Sequence, residues 1–264
     1  MGLMTTFSEL AASLRALHRP GEPVVLANAW DAASARVVVE AGYPAVATTS
    51  GGVARSLGEE DTDAIDPDVA YAAVARIARA VGDVPVTADI VRGYGRAPGD
   101  IVERLRAAGA VGCNLEDTDH YGDAALVGVD EQAAFLAAVK DAGRRAGVDL
   151  VVNARIDVFV RNPGEPTAHV GAALERGRAY LDAGVDCVYP IGLADADAIR
   201  AIVDALDAPV NVLLRPGAPS IAELAALGVA RVSVGSALAR HSLSAAARAA
   251  TALRQGDPTI LFGE

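Results

Sequence analysis

Three apolar runs of this chain end in charged residues: VPVTAD at residues 84–89, VGCNLED at 111–117 and LVVNARID at 150–157. Each run is rich in valine, which favours a strand buried on both faces of a parallel sheet. A carboxylate or guanidinium at the end of such a strand is costly unless it has a partner or a ligand. We therefore expect three successive strand ends to direct acid, acid and base to one place, as at the C-terminal mouth of a parallel barrel.

Strand-like runs recur eight times along the chain, and Ala-rich segments with helical spacing separate them. The phrases EAGYPAV, AAGAVGC, DAGVDCV and ALGVARV repeat one pattern, in which a helix ends, glycine turns the chain and a buried strand begins. This alternation predicts a closed (β/α)8 TIM barrel with an extra N-terminal helix at residues 6–18. The predicted strands are 24–29, 45–50, 84–90, 111–116, 150–155, 186–191, 209–214 and 231–235. The other predicted helices are 32–41, 66–81, 98–108, 130–146, 168–183, 195–206, 219–227 and 237–254.

A doubly wound open sheet is the competing architecture. No GxGxxG motif follows the first predicted strand, where the loop reads AWDAAS at residues 29–34, and this counts against a dinucleotide-binding fold. A length of 264 residues suits one (β/α)8 unit, and no linker or low-complexity stretch divides the chain. We therefore predict a single barrel domain over residues 1–264.

The composition limits the kinds of partner. The net charge is −11 and the pI is near 4.8, which argues against binding to nucleic acid or to an anionic membrane surface. The chain has no apolar stretch of transmembrane length and no signal-peptide pattern, so we expect a cytoplasmic protein. The only cysteines, Cys113 and Cys187, fall inside predicted strands and are interpreted as apolar fillers in a reducing compartment. An anionic substrate would need positive charge collected locally, from arginine or a metal.

The strongest candidate site residues stand at the ends of the third, fourth and fifth predicted strands. Asp89 offers the hard oxygen that Mg²⁺ accepts, although it could instead cap a helix or pair with Arg92. Glu116 could share a metal with Asp89, directly or through water, or form an ion pair with Arg155. Arg155 suits bidentate binding of a carboxylate or phosphonate, and its structural alternative is to balance the charge of Glu116.

Weaker candidates lie at other strand ends. Thr49, Ser50 and Gly51 have small side chains that let backbone N–H groups face an anion, although such a sequence also suits a tight turn. Trp30, the only tryptophan, is either a wall of the pocket or a cap on the barrel. Asn211 flanks the seventh strand, in the region where barrels often bind anions.

Seven short motifs, in this order and spacing, resemble the isocitrate lyase/phosphoenolpyruvate mutase superfamily. The resemblance implies a (β/α)8 barrel whose last helix is often exchanged between the subunits of dimers or tetramers. The motifs are NAWD at 28–31, TTSG at 48–51, TAD at 87–89, GYG at 93–95, NLED at 114–117, NARID at 153–157 and GVARVS at 228–233.

The resemblance also implies a Mg²⁺-dependent site for 2-oxo or 2-hydroxy carboxylates or phosphonates. Members break C–C or C–P bonds, or move a phosphoryl group, through enolate-like intermediates. By resemblance, Asp89 would bind the metal directly and Glu116 through water. Ser50 and Gly51 would hold the substrate carboxylate by backbone contacts, and Arg155 would bind the substrate anion.

Two departures from the family pattern affect these expectations. Members usually carry a second acid two residues after the first, and here Val91 stands in that place, so the expected Mg²⁺ site is weakened. The lyases carry a Lys/Arg-Cys-Gly sequence after the fourth strand, whereas residues 118–127 contain neither cysteine nor lysine, and the paired lysines and Asn-Ser of the phosphonomutases are missing too. The candidates for the acid that protonates the enolate carbon are then His120 and Tyr121, with an exposed loop histidine as the alternative for His120.

We therefore expect an enzyme that cleaves a C–C bond of a small 2-oxo or 2-hydroxy acid, with a small anionic substrate and a homodimeric or homotetrameric assembly. Phosphonate mutase or hydrolase chemistry is one alternative. A catalytically silent small-acid-binding protein is another; Val91 and the altered loop favour it, while the presence of Asp89, Glu116 and Arg155 opposes it.

Overall fold

The eight predicted strand runs are all present and form a parallel barrel. A computed structural model of the chain describes residues 5–59, 65–120, 125–162 and 164–262. The first run is divided into two short strands, so nine strands build the eight-stranded wall. They are β1 Val24–Leu26, β2 Asn28–Ala29, β3 Val46–Thr48, β4 Val86–Asp89, β5 Gly112–Glu116, β6 Val151–Ile156, β7 Cys187–Pro190, β8 Asn211–Leu213 and β9 Arg231–Ser233.

Parallel pairing runs from β2 through β3, β4, β5 and β6 to β7, and β9 pairs with both β1 and β8. A parallel bridge between Val188 and Val210 joins β7 to β8, and β1 continues directly into β2. The side chain of Asn28 also spans this junction, because its amide donates to the Thr48 carbonyl and accepts from the Val234 N–H. The barrel predicted from the sequence is thereby confirmed.

All the predicted helices are present, with ends within two residues of those expected. Three short helices, Ser50–Leu57, Val158–Arg161 and Thr259–Phe262, were not predicted. A 3₁₀ turn, Pro166–His169, leads into the helix that begins at Val170. The helices are α1 Phe7–Ala16, α2 Ala32–Glu40, α3 Ser50–Leu57, α4 Pro67–Val81, α5 Pro98–Ala108, α6 Val129–Arg145, α7 Val158–Arg161, α8 Val170–Asp182, α9 Ala196–Leu206, α10 Ile221–Ala226, α11 Ala237–Arg254 and α12 Thr259–Phe262.

Helix α1 closes the N-terminal end of the barrel. Its fully buried Leu14 packs in one apolar cluster with residues that point into the barrel, including Leu26 and Val151. Gly112 leaves the space for this contact, since a Cβ there would lie 2.8 Å from Leu14 Cδ2 and 2.7 Å from the Val151 carbonyl oxygen. The larger apolar core lies between the strands and the outer helices. Because the N-terminal end is closed, a ligand is expected to enter at the opposite, C-terminal end.

Helix α11 has the fewest buried residues of the long helices. Ala239 is its only buried residue, and the large apolar side chains of Leu243 and Leu253 are exposed. The expected exchange of the last helix between subunits stays a prediction. Among the described residues, no helix is long and apolar enough to cross a membrane.

Candidate active site

A polar cavity of about 220 Å³ opens at the C-terminal ends of the strands. All eight strands, or the turns directly after them, contribute to its wall. This is where the charged strand ends led us to expect a site. The lining residues are Asn28, Thr49, Ser50, Asp89, Asn114, Arg155, Tyr189, Ile191, Leu213, Ser233, Gly235 and Ser236.

Asp89, at the end of β4, is held by hydrogen bonds to both of its carboxylate oxygens and from its backbone N–H. Its Oδ2 accepts from the backbone N–H of Ser50 at 3.0 Å and from the Ser50 hydroxyl at 2.9 Å. Its Oδ1 accepts from the amide of Asn114 at 3.3 Å, and its own N–H donates to Thr48 Oγ1 at 2.8 Å. The carboxylate is half-buried and lines the cavity. The Ser50 N–H predicted to bind a substrate carboxylate is thus used to orient Asp89.

Arg155, at the end of β6, lies between two acids. Its Nη1 is 2.5 Å from Glu116 Oε2, and Nε and Nη2 donate to the two oxygens of Asp157 at 2.6 and 3.2 Å. Burial alone would lower the pKa of Arg155, but the charges of Glu116 and Asp157 outweigh it and raise that pKa. A guanidinium has five N–H groups, so two of them are left for a ligand. Arg155 therefore balances the charge of Glu116 and also faces the cavity, and its binding of a substrate anion stays a prediction.

Glu116 is 2% exposed and both of its carboxylate oxygens have partners. Oε2 meets Arg155, and Oε1 contacts Nε2 of His120. Burial raises the pKa of Glu116 to about 7, although the charge of Arg155 and the contact with His120 both lower it. A carboxyl group whose pKa lies near neutral, in contact with a histidine, is suited to general acid–base work. His120 is therefore a member of the charged cluster and not an isolated loop histidine.

A second set of polar groups holds Asp157, the carboxylate partner of Arg155, in place. The N–H of Asp157 donates to Asp117 at 2.8 Å, and the Thr118 hydroxyl donates to Asp157 at 2.6 Å. Asp117 in turn accepts from Arg176 at 3.0 Å and from the Tyr180 hydroxyl at 2.8 Å. Because α8 supplies both of these donors, the outer helix layer helps to hold the mouth in place.

The turn after β4 is strained and points its polar side chain away from the cavity. Val91 has a φ of 55°, which is unusual for a β-branched residue, and its side chain is buried in the apolar core. Its carbonyl accepts from the Glu116 N–H at 3.0 Å. Arg92 turns outward to Gln132 and Glu131 on α6. Neither Val91 nor Arg92 lines the cavity, so Arg92 does not repel a cation there.

The structure brings some of the weaker candidates to the cavity and not others. Thr49 and Ser50 line it, and the Thr49 and Ser236 hydroxyls are 2.7 Å apart. Gly51 follows Ser50 in the first turn of α3. Trp30 packs beside Gly52, where a Cβ would lie 2.9 Å from Trp30 Cβ, and is not among the lining residues.

A further candidate, Asn211, does not line the cavity. Asn211 is fully buried below the cavity, where its Oδ1 accepts from Ser233 at 3.3 Å. Tyr121 lies outside the described residues.

The wall residues that sequence reasoning missed include Tyr189, Ile191 and Leu213. Tyr189 is fully enclosed, and burial raises its pKa to about 12, so its hydroxyl is a neutral hydrogen-bonding group at physiological pH. The signal was available, because Tyr189 stands near the end of the sixth strand, the position where the same argument selected Asp89 and Arg155. Its apolar ring and the apolar neighbours concealed it among core residues.

The oxygen donors at the cavity can be matched to the ligand preferences of Mg²⁺. Within the described part of the chain there is no group of three or more His, Cys, Asp or Glu side chains that could hold a metal ion. Asp89 presents one carboxylate to the cavity, and Mg²⁺ commonly binds proteins through one or two carboxylates while keeping several waters. The oxygens of Glu116 already have partners but retain lone pairs that can accept from a bound water. The residues therefore fit a weakly held Mg²⁺ with Asp89 as its direct ligand.

Comparisons with known proteins agree with this geometry. The family model described as phosphoenolpyruvate phosphomutase matches residues 14–254. A candidate phosphonomutase from Burkholderia cenocepacia has a solved structure that superposes with a TM-score of 0.87 at 42% identity, covering 92% of this chain and 99% of the other. An uncharacterized protein of Mycobacterium tuberculosis is 35% identical, covering 93% of this chain and 90% of its own length. An oxaloacetate decarboxylase of Chromohalobacter salexigens is 32% identical, with coverage of 87% and 80%.

Proposed function

The chain belongs to the phosphoenolpyruvate phosphomutase family, within the isocitrate lyase/phosphoenolpyruvate mutase superfamily, and from this premise we propose that it is a lyase. The proposed reaction cleaves a C–C bond in a small 2-oxo or 2-hydroxy dicarboxylate resembling oxaloacetate or malate. The superfamily contains both lyases and mutases, and the relatives named as an oxaloacetate decarboxylase and a candidate phosphonomutase represent the two types.

The observation that carries the proposal is the cavity itself. Its volume of about 220 Å³ suits a small acid and is below the usual size of pockets for drug-sized ligands. Arg155 lines it with two uncommitted N–H groups, which can bind one carboxylate of the substrate in a bidentate manner. Asn28, Asn114 and Ser233 add neutral hydrogen-bonding groups around the remaining oxygens.

Cleavage of the bond between the α carbon of a carbonyl group and the next carbon leaves the electron pair on the α carbon, where it is delocalised onto the carbonyl oxygen as an enolate. The other fragment leaves as CO2 or as a carbonyl compound. In this proposal the positive charge of Arg155 stabilises that oxygen, because charge in a partly desolvated site acts strongly. The enolate carbon then takes up a proton. The Glu116–His120 pair is the described group that can hold a proton near neutral pH and supply it, directly or through water.

We propose that Mg²⁺ assists through Asp89. When bound, the ion would polarise a substrate oxygen and add positive charge to the site. Asp89 is held for this role by Ser50 and Asn114, and substrate oxygens would complete the coordination. Because the place of a second family acid is taken by Val91, we expect metal affinity in the absence of substrate to be weak.

Phosphonate chemistry is the second candidate. The likeness to the candidate phosphonomutase, at 42% identity, favours it. A phosphonopyruvate-type substrate carries the same 2-oxo carboxylate, so Arg155 would keep its role and the neighbouring polar groups would face the phosphonate.

One NMR experiment tests both candidates. The purified protein with Mg²⁺ is incubated separately with oxaloacetate, malate, 2,3-dimethylmalate and phosphonopyruvate, and proton and phosphorus-31 spectra are followed. The lyase proposal expects cleavage-product proton signals from one of the first three acids to appear faster than in a protein-free sample with Mg²⁺, and no faster than in that sample with Asp89→Asn as the matched control. A change in the phosphorus-31 spectrum alone would select phosphonate chemistry. If no acid in the panel is converted, or if Asp89→Asn converts it equally fast, the proposed site is wrong.

A further inference from the structure

Arg231, on the inner face of β9, is a buried arginine that the site described above does not use. It is 1% exposed and is the largest fully buried side chain described. In the described part of the chain it forms no ion pair, and its Nε and Nη1 atoms have no hydrogen-bond partner. Burial lowers the pKa of Arg231, but arginine stays protonated in proteins. A buried charge left without a carboxylate is costly, so its presence calls for a reason.

The pairing registers place this charge on the barrel axis. Barrel side chains stack in layers of four from alternate strands. Following the registers around the wall, Arg231 belongs to the lowest of the layers beneath the mouth, together with the small residues Ala45, Gly112 and Cys187. Its side chain nevertheless reaches Asn114 on β5, because its Nη2 donates to Asn114 Oδ1 at 3.3 Å. Since β5 lies opposite β9 in the eight-stranded wall, the guanidinium crosses the centre of the barrel.

The layer that the guanidinium crosses is unusually polar for a barrel interior. By the same registers it contains Leu26, Thr87, Asn153 and Asn211, where large branched apolar residues are typical. Thr87 Oγ1, Asn153 Oδ1 and Asn211 Nδ2 are all buried without a partner. This layer lies directly under the floor of the cavity and surrounds the Arg231 charge with dipoles.

Asn114 connects this charge to the cavity. Its Oδ1 accepts from Arg231 and from Asn153, the latter at 2.9 Å, while its Nδ2 donates to Asp89 Oδ1 at 3.3 Å. The amide dipole is therefore aligned between a cation below and a carboxylate above. Asp89 is also the carboxylate whose charge raises the pKa of Arg231.

The charges of the mouth explain why a buried cation is useful there. Arg155 is shared between Glu116 and Asp157, and Asp89 adds a further negative charge to the cavity wall. A dicarboxylate substrate would meet more negative than positive charge. A cation under the floor, in surroundings of low dielectric constant, offsets this excess of negative charge without occupying the cavity.

We propose that Arg231 is a positioning residue that supplies the positive potential of the cavity floor and, through Asn114, orients Asp89 for binding dianionic acids. This inference rests on the proposed function, because it assigns the same cavity a preference for dianions over monoanions. Arg231 touches neither the cavity nor the substrate and acts through Asn114 and through its charge.

Calorimetric binding of oxalate, a dianion, and oxamate, a monoanion of similar shape, tests the proposal on the full chain with Mg²⁺ present. We compare the parent with Arg231→Met, which replaces the guanidinium by an unbranched apolar side chain. The control is Arg248→Met, which removes an exposed charge on α11. Arg231→Met should weaken oxalate binding by about 10-fold and oxamate binding by about 3-fold, because the interaction scales with ligand charge. Arg248→Met should change neither. Equal losses for the two ligands, or no loss, would overturn the proposal.

Urea unfolding separates this role from a structural one. If Arg231 is retained for its charge, its replacement by methionine leaves the unfolding midpoint unchanged or higher. A lower midpoint with unchanged oxalate affinity would show that the residue is structural. Should Arg231→Met be insoluble, Arg231→Gln is measured in its place with the same criteria. If the parent binds neither ligand, the proposed substrate class and the inference that rests on it both fail, whereas equal losses for the two ligands in Arg231→Met overturn the inference alone.

Discussion

The two ends of the barrel both contain buried charge, but they are built differently. At the closed end, Lys140 is 4% exposed and its ammonium donates to Asp149 at 3.1 Å, to the Leu150 carbonyl at 2.7 Å and to Asp186 at 2.8 Å. Asp186 also accepts from Arg15 of α1 at 2.6 Å. Every donor of the ammonium is therefore used, and the cluster ties α1 to the residues just before β6 and β7.

At the open end the charges are paired incompletely. Arg155 keeps two N–H groups for a ligand, and Asp89 faces a cavity. The comparison teaches that burial of charge does not by itself identify a functional site. What distinguishes the mouth is hydrogen-bonding capacity left over beside an accessible volume. We therefore expect changes at the closed end to alter stability and changes at the mouth to alter ligand binding.

The largest effect is expected from Lys140→Met at the closed end. Removal of the ammonium leaves Asp186 and the Leu150 carbonyl with fewer donors, so the free energy of unfolding should fall by about 3 kcal/mol. Urea unfolding followed by circular dichroism measures this loss. The folded fraction should still bind oxalate as the parent does. A loss below about 1 kcal/mol, or an altered oxalate affinity, would contradict the claim that the closed end determines stability and the mouth determines ligand binding.

Arg155→Lys at the mouth should have the opposite profile. Lysine keeps the charge but loses the planar fork that meets Glu116, Asp157 and the ligand together. We expect oxalate affinity to fall by about 100-fold, equivalent to about 2.7 kcal/mol. Arg15→Lys, at the closed end, is the matched control and should leave affinity unchanged. If both variants bind oxalate like the parent, Arg155 is not the anion-binding residue.

A smaller effect, dependent on pH, is expected from His18 near the closed end. Burial, together with the charge of Arg231, lowers the pKa of His18 to about 4 in the folded protein. Since the unfolded chain takes up this proton near pH 6.5, its contribution to stability is complete above pH 6.5 and is lost as the pH falls towards 4. Between pH 7 and pH 5 the parent should lose about 2 kcal/mol through this group.

The measurement compares unfolding midpoints at pH 7 and pH 5 for the parent and for His18→Gln. Glutamine has no titrating proton, so the variant should show about 2 kcal/mol less pH dependence over this interval. Identical pH dependence in the two proteins would show that His18 titrates normally in the folded state.

The sequence predicted the barrel because its signals are local. Valine-rich runs, glycines at helix ends and the alternation of strand and helix each depend on a few neighbouring residues. Gly109, for example, ends α5 with a φ of 80°, as its place before a buried strand indicated. The charged strand ends predicted the position of the cavity, with Asp89 and Arg155 in its wall, for a similar reason, since the C-terminal ends of parallel strands share one edge.

Some features of the site could not be predicted from local sequence patterns. The Glu116–His120 contact depends on how the chain turns after β5, and His120 offered no metal-ligand or catalytic spacing. Val91 was interpreted as a gap in the metal site, and this stays a prediction; the structure adds that its carbonyl accepts from the Glu116 N–H and that its side chain belongs to the core. Val91 has a φ of 55°, and no glycine stands at that position to indicate it in the sequence.

The sequence by itself determined the eight strands, the helices between them and the end of the barrel at which acids and an arginine gather. Only the tertiary structure decided which polar groups meet across the interior. Arg231 and Asn114 are 117 positions apart and come together because the stagger between neighbouring strands brings opposite sides of the barrel to related heights. Periodicity along a strand specifies which residues point inward, but the closure of the wall specifies which of them share a layer.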